Sequence, residues 1–427
     1  MGEKLLKKIS GKELKLFTYA TIIFLFCAAF MLATPGEIIR GMWTIIISRD
    51  ALITDYFKLA GYGASFFNAG LVLLITTTLV GAVKLPYTGI TMAALFIDVC
   101  YSFWGKNPVN MLPILAGVFL YAKVHKAPLT RYLYTAIFGI CMGPFVTEMV
   151  YILPFSFPVN LLLSFVVGII IGYVLPPLSV HTASMHLGYD LFNVGFSAGI
   201  LAFILVSFMK SFSVEFESVF IWQEGVHVGI TVGVYLYLLL AFAYGWWVSG
   251  KKIGKLWKIT RHPGRAVADF VIMDGPGATL MNMSVIGLIC ETYILLIGGD
   301  LSGPVQGAVF MAFGFAAFGA HIKNFPPVLL GVFLSTLITQ YEATTPGIQI
   351  AALFAVGLSP IAGQFGPVLG IVAGFLHAAV VMCTSQFYGG LNLYNNGFAA
   401  GWVAIIMVPV IESMMQHYKN RQKKKGE

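Results

Sequence analysis

Apolar runs bounded by glycine, proline or charge recur at about 16–34, 62–83, 86–104, 109–124, 130–152, 158–178 and 185–209, and again at 228–248, 275–298, 303–320, 326–340, 347–361, 364–384 and 392–412. Apolar runs of this length are predicted to be membrane helices. An upright helix needs roughly 20 residues to cross a bilayer. Several runs fall short, and these read as half-helices or re-entrant segments among full spans. The expected fold class is an all-α integral membrane protein. The first run, behind a basic leader, has the outline of a signal peptide. It stands to Trp43 as 228–248 stands to Trp257, however, and is therefore read as a transmembrane helix of the repeat.

The second set of runs follows the first in register. Trp43 answers Trp257, Asp55 answers Asp269, and Gly61-Tyr-Gly-Ala-Ser-Phe-Phe-Asn68 answers Gly275-Pro-Gly-Ala-Thr-Leu-Met-Asn282, all at a spacing of 214. Further on, Lys106-Asn107 answers Lys323-Asn324, Gly117-Val-Phe-Leu120 answers Gly331-Val-Phe-Leu334, and Leu191-Phe-Asn-Val-Gly-Phe-Ser-Ala-Gly199 answers Leu393-Tyr-Asn-Asn-Gly-Phe-Ala-Ala-Gly401. Matched blocks in matched order predict two structural repeats of about seven segments each.

Charge orients them. Of 427 residues 58% are hydrophobic and 10% charged, far below the quarter usual in soluble domains. The excess of +8 gathers at the start (Lys4 to Lys15), the middle (Lys251 to Arg265) and the end (Lys419 to Lys425). Such clusters beside apolar spans mark cytoplasmic loops facing anionic lipid and have little of the aromatic interleaving of a nucleic-acid groove. Alternating the spans from a cytoplasmic start puts every strongly basic loop inside, and equivalent loops of the two halves then lie on opposite faces. The repeats are predicted to be inverted, in a multi-pass cell-membrane protein with both termini cytoplasmic. The expected organisation is a basic N-terminus (1–14), a first transmembrane repeat (15–210), an extracellular connection (211–227), a second, inverted repeat (228–412) and a basic tail (413–427). The five cysteines form no CxxC pair, and neither a disulfide framework nor a metal site is indicated.

Inverted repeats place a site near the bilayer midplane, and ionisable groups within apolar runs are the first candidates for it. Asp190, Asn193 and Ser197 are spaced to share one helix face, provided that the block Gly188 to Gly195 is helical rather than unwound at its glycines. Asp190 aligns with Asn392 and Glu148 with Gln364, so a carboxylate in the first half meets its amide in the second. The candidate substrate- or ion-binding set is Asp190, Asn193, Ser197, Asn392, Asn395, Asn396, Glu148, Gln364, Asn68 and Asn282. The competing reading of Asn68/Asn282 and Asn193/Asn395 is as interhelical hydrogen-bond partners. His181 and His186 do not share a helix face, and His377 reads as a core residue. Asp98 and Glu291 rank second, as groups near segment ends whose charge can snorkel to water. The lysine blocks at Lys106 and Lys323 read either as starts of half-helices or as loop turns.

At Gly61-Tyr-Gly-Ala-Ser, Leu112-Pro113 and Asn395-Asn396-Gly397 the chain distantly resembles urea transporters, whose inverted halves carry Gly-Tyr-Asn-Ala-Thr, Leu-Pro and Asn-Asn-Pro motifs. As a whole it more closely resembles an uncharacterised bacterial membrane family, a domain of unknown function. The seven-plus-seven count also resembles the fold of nucleobase and anion transporters. HExxH, GxSxG, P-loop and CxxC signatures are absent, so an enzyme is not expected. The expected function is transport of a small polar solute, coupled to Na+ or H+ and with no other cofactor. The alternative implied by the urea-transporter resemblance is a passive channel, and an intramembrane enzyme or lipid-handling protein ranks below both. Expected partners are the solute and membrane lipids, not nucleic acid, with an aromatic surface that leaves room for a homo-oligomer.

Overall fold

A computed structural model describes residues 11–426, with 422–426 as backbone only. Of the expected basic N-terminus, residues 1–10 lie outside the described residues, as does Glu427 at the end of the tail. The first half is built from α1 (Lys12–Leu32), α2 (Pro35–Ile47), α3 (Tyr56–Ala60), α4 (Tyr62–Ala82), α5 (Gly89–Tyr101), α6 (Leu112–Val124), α7 (Leu133–Gly139), α8 (Gly143–Ile152), α9 (Phe157–Met185) and α10 (Asn193–Lys210). The second repeats the series as α11 (Val228–Val248), α12 (Gly254–Ile259), α13 (Phe270–Asp274), α14 (Pro276–Leu296), α15 (Gly303–Phe315), α16 (Phe325–Thr336), α17 (Pro346–Phe354), α18 (Ser359–Phe365), α19 (Pro367–Thr384) and α20 (Asn395–Gly426). Residues 413–426 of the basic tail continue α20.

Among the described residues ten helical stretches are long and apolar enough to cross a membrane, and α5, α6, α15 and α16 are shorter apolar helices. These are the half-helices foreseen from run length. Trp43 on α2 and Trp257 on α12 are exposed, as expected of indoles at a membrane–water interface.

The halves run antiparallel. Along the α5–α15 crossing a Cβ on Gly303 would meet Phe103, one on Gly307 would meet Cys100, and one on Gly314 would meet Phe96 and Met92. The two ends of this pair are closed by exchange. Asp269 of the second half accepts Gly89 N–H at 2.8 and 2.9 Å, at the start of α5. Asp55 of the first half accepts Gly303 N–H at 3.2 Å, at the start of α15. Each carboxylate also caps its own short helix, Asp55 through Phe57 N–H (2.8 Å) and Asp269 through Val271 N–H (3.1 Å). A single carboxylate thus serves two helix starts, where backbone donors have no intrahelical partner and the helix dipole favours negative charge.

Glycine explains one repeated block. On α6 and α16, a Cβ at Gly117 would lie 2.1 Å from Ile169 O, and one at Gly331 would lie 2.0 Å from Ile371 O. Only glycine lets these helices cross α9 and α19 at backbone contact.

The hydrogen bonds also correct one equivalence. Asn68 Nδ2 donates to Ser102 O (2.7 Å) and Lys106 O (2.8 Å), while Asn282 Nδ2 donates to Ala316 O (2.7 Å) and Ala320 O (2.8 Å). The counterpart of Lys106 is therefore Ala320, not Lys323. The spacing of 214 still holds at Gly117/Gly331, is 216 at Glu148/Gln364 and falls to 202 at Asn193/Asn395, in part because α9 begins with turns that α19 lacks.

Candidate functional site

The last segment of each half starts with an unwound stretch. Gly188 takes a positive φ of 80°, and Asp190 Oδ1 accepts Phe192 N–H at 2.8 Å, which holds the chain out of helix until Asn193. In the second half Gly389 and Gly390 take φ of 59° and 71°, and Asn392 Oδ1 accepts Tyr394 N–H at 2.9 Å. Asp190 therefore does not share a helix face with Asn193 and Ser197. Short polar side chains that bond two residues ahead compete with helix, and here they win.

Asn193 and Ser197 lie on α10 against α9. Asn193 Oδ1 accepts from Thr182 Oγ1 (2.9 Å) and His186 Nε2 (3.0 Å), its Nδ2 donates to Ser179 O (2.8 Å), and Ser197 Oγ meets Thr182 Oγ1 at 2.7 Å. Asn395 repeats the arrangement, accepting from Thr384 Oγ1 (2.6 Å) and the Tyr388 hydroxyl and donating to Val381 O (3.1 Å). Asn68 and Asn282 hold the broken α5–α6 and α15–α16 connections, as above. These four amides thus have interhelical roles.

Two cavities flank the unwound stretches. The larger, about 690 Å³, is walled by Ser179, Ala183, His186, Asp190, Asn193, Arg265 and Phe318 among others. The smaller, about 350 Å³, is walled by Leu52, Ile53, Trp104, Val381, Ser385, Asn395 and Asn396 among others. Residue by residue they are the same cavity in the two repeats: Ala183 matches Ser385, Asn193 matches Asn395, Ala266 matches Leu52 and Phe318 matches Trp104, each at the local repeat spacing. Inverted repeats put them at opposite ends of the molecule.

A septum of buried rings stands between them, in three repeat-related pairs: Tyr101 with Phe315, Phe138 with Phe354, and Phe192 with Tyr394. Their packing is symmetric as well. Phe192 meets Phe315 with centroids 4.6 Å apart and Tyr394 meets Tyr101 at 5.2 Å; Tyr101 meets Phe354 at 6.1 Å and Phe315 meets Phe138 at 6.2 Å. Phe138, Phe192 and Tyr394 face the larger cavity, while Trp104 of the smaller packs on Tyr101 at 5.8 Å. Buried polar atoms without a hydrogen-bond partner gather here: Tyr101 OH, Tyr394 OH, Trp104 Nε1, Asp190 Oδ2, Asn392 Nδ2 and Asn396 Oδ1. Asp190 is fully buried and takes part in none of the ion pairs among the described residues.

The other candidates sit apart. Glu148 is buried but bound by Arg49, whose Nη2 lies 2.8 Å away and whose Nη1 reaches Glu217 at 2.6 Å. Gln364 is exposed. Asp98 and Glu291 are not near water, contrary to the snorkelling expectation, because each has a buried partner: Lys106 Nζ 2.5 Å from Asp98, and Gln306 Nε2 3.0 Å from Glu291. His181 is exposed while His186 is buried, and His377 is buried with neither ring nitrogen hydrogen-bonded. A third hollow of about 690 Å³ lies between α1 and α11, walled by apolar groups such as Leu16, Ala20, Gly233 and Leu240. Its lining hydroxyls are already bonded, Thr21 Oγ1 to Tyr237 OH at 2.9 Å and Tyr244 OH to Glu13 O at 3.4 Å, so it offers little chemistry. Sequence reasoning passed over Asp55/Asp269 and the ring pairs, although Asp55/Asp269 already stood as matched positions.

Two antiparallel copies of one helical unit, closed around a septum within the apolar thickness, define a multi-pass membrane protein of inverted-repeat build. The chain belongs to the family described as "Protein of unknown function (DUF1576)", which matches residues 34–211 and again residues 248–413, once in each half. No curated protein and no solved structure matches it. The likeness to an uncharacterised family therefore stands, and the urea-transporter echoes gain no support.

Proposed function

We propose that the protein is a secondary transporter that exposes a central site alternately to the two repeat-related cavities, carrying a small polar solute with a coupling cation. The observation that carries this reading is the pair of equivalent cavities of unequal volume, about 690 and 350 Å³, on either side of one septum. A fold with pseudo-twofold symmetry has two equivalent ways to be asymmetric, and exchanging them moves the opening from one face to the other. The buried, unpaired carboxylate of Asp190 at the septum supplies a place for a cation, and intramembrane carboxylates default to such roles. The passive-channel reading needs a continuous path, which the six rings interrupt. The basic linker and tail assign the larger cavity, beside Arg265, to the cytoplasmic face.

A thermal-shift screen of small solutes with and without Na+ finds the solute, because a ligand of the folded state stabilises it in proportion to saturation. Proteoliposome uptake under imposed Na+ or H+ gradients then tests coupling. Gradient-driven uptake that is unchanged in Asp190→Asn would remove Asp190 from the mechanism, and flux that ignores both gradients would favour the channel.

A further inference from the structure

The Asp98–Lys106 pair is fully buried beside the septum, with Lys106 Nζ 5.7 Å from the centroid of the Tyr101 ring. Burying two charges costs several kcal/mol per ion before their attraction is counted, and replacing such pairs with apolar residues is often neutral or stabilising. The molecule contains its own control. At the equivalent positions of the second half stand Ala312 and Ala320, and Asn282 anchors the Ala320 carbonyl as Asn68 anchors that of Lys106. The fold is thus made without the pair. A charge pair that the architecture does not need, fully buried and next to the barrier between two cavities, calls for a function.

Three of its surroundings point to proton binding. Asp98 Oδ2 is buried without a hydrogen-bond partner, so one carboxylate oxygen is free to take a proton. The unpartnered Tyr101 and Tyr394 hydroxyls and the Trp104 indole N–H lie between the pair and the cavities, and Trp104 and Tyr394 themselves line them. Among the described residues no second strong acid or base faces the pair: its titratable neighbours are Cys100 and Tyr101 of α5, Cys141 from the break between α7 and α8, and Tyr394 before α20, with the Thr76 hydroxyl on α4.

Resting on the transport reading above, we propose that Asp98 binds a proton distinct from the cation held at Asp190, and that Lys106 converts that proton binding into a change of access. A proton from water on one side bonds to Asp98 Oδ2 and leaves the Lys106 ammonium buried without a counter-charge. That state is costly, and it is relieved when the smaller cavity, two residues away at Trp104, widens and hydrates the ammonium. Loss of the proton to water on the other side restores the ion pair and the larger cavity.

Single cysteines at the repeat-equivalent wall positions Ala183 and Ser385 report the two states, in a background with the exposed Cys27 and Cys383 replaced by serine. Each variant is placed in lipid nanodiscs and labelled with a membrane-impermeant maleimide between about pH 8 and about pH 5.5. The readout is the rate at Ser385→Cys divided by that at Ala183→Cys, which removes the pH dependence the two thiols share; the double variant, with the same His186 and Arg265 beside position 183, supplies the remainder. In the otherwise native protein the ratio is expected to rise about tenfold on acidification. It should be high at every pH in Asp98→Asn, which mimics the protonated acid, and flat in the near-isosteric Asp98→Asn/Lys106→Met double variant. Should Asp98→Asn not fold, because it leaves the Lys106 ammonium buried and unpaired, the pH response of the native pair against the flat double variant decides. A flat native ratio, or an unaltered pH response in the variants, overturns the proton site while leaving two-sided access intact. Cysteines inert at both positions at every pH would instead defeat the transport reading itself.

Discussion

Replacing Asp269 by alanine removes the acceptor for Gly89 N–H (2.8 and 2.9 Å), Val271 N–H (3.1 Å) and Ile272 N–H (3.2 Å) at once. Those donors begin two helices from different halves, so the loss is two caps. An N-cap is worth about 1 kcal/mol and up to about 2, which puts the cost of Asp269→Ala at about 2–4 kcal/mol. Asp269→Asn keeps one oxygen and no charge, and about half of that loss is expected. Asp55→Ala should behave similarly through Phe57, Gln223 (2.9 Å) and Gly303. The two carboxylates sit at opposite ends of a helix pair about 20 Å long, so their effects should add within about 0.5 kcal/mol. Thr34→Ala, which removes an exposed capping box on α2, is the single-cap control. Thermal unfolding in detergent, followed by tryptophan fluorescence, should rank the drop in apparent Tm as Asp269→Ala, then Asp269→Asn, then Thr34→Ala. A drop in Asp269→Ala no larger than in the control would refute the idea that one carboxylate locks the two halves together.

Two further outcomes follow from burial. Lys106→Met alone leaves Asp98 as an uncompensated buried carboxylate and should cost about 3–5 kcal/mol, whereas Asp98→Asn/Lys106→Met should recover most of it; a double variant as unstable as the single one would contradict this. Gly117→Ala drives a methyl against Ile169 O and forces α6 from α9, so it should lower stability by about 1–3 kcal/mol, while Gly36→Ala, with open space at its Cβ, should not. The same thermal assay reads both.

Segment number, their two lengths and the inverted duplication were legible in the sequence, because lipid makes each buried backbone pay its hydrogen bonds within one helix, and apolar run length then reports span length directly. Matched glycines and asparagines such as Gly117/Gly331 and Asn68/Asn282 were visible for the same reason: close crossings and broken helices tolerate few residue types. Partnership was not visible. Asp98 was read as a group reaching for water because it stands near a segment end, where spacing does not show that Lys106 folds back onto it; separately, only hydrogen-bond register moved the counterpart of Lys106 from Lys323 to Ala320. Asp190 was placed on a helix face because spacing alone cannot tell a helix from an unwound turn closed by its own side chain. The exchange of Asp55 and Asp269 between halves, and the septum that gathers rings from six separate segments, depend on contacts between residues far apart in the chain. Sequence by itself determined what each segment is, since that is settled locally by lipid and backbone; tertiary structure decided which polar groups meet, since a buried charge is defined by its partner.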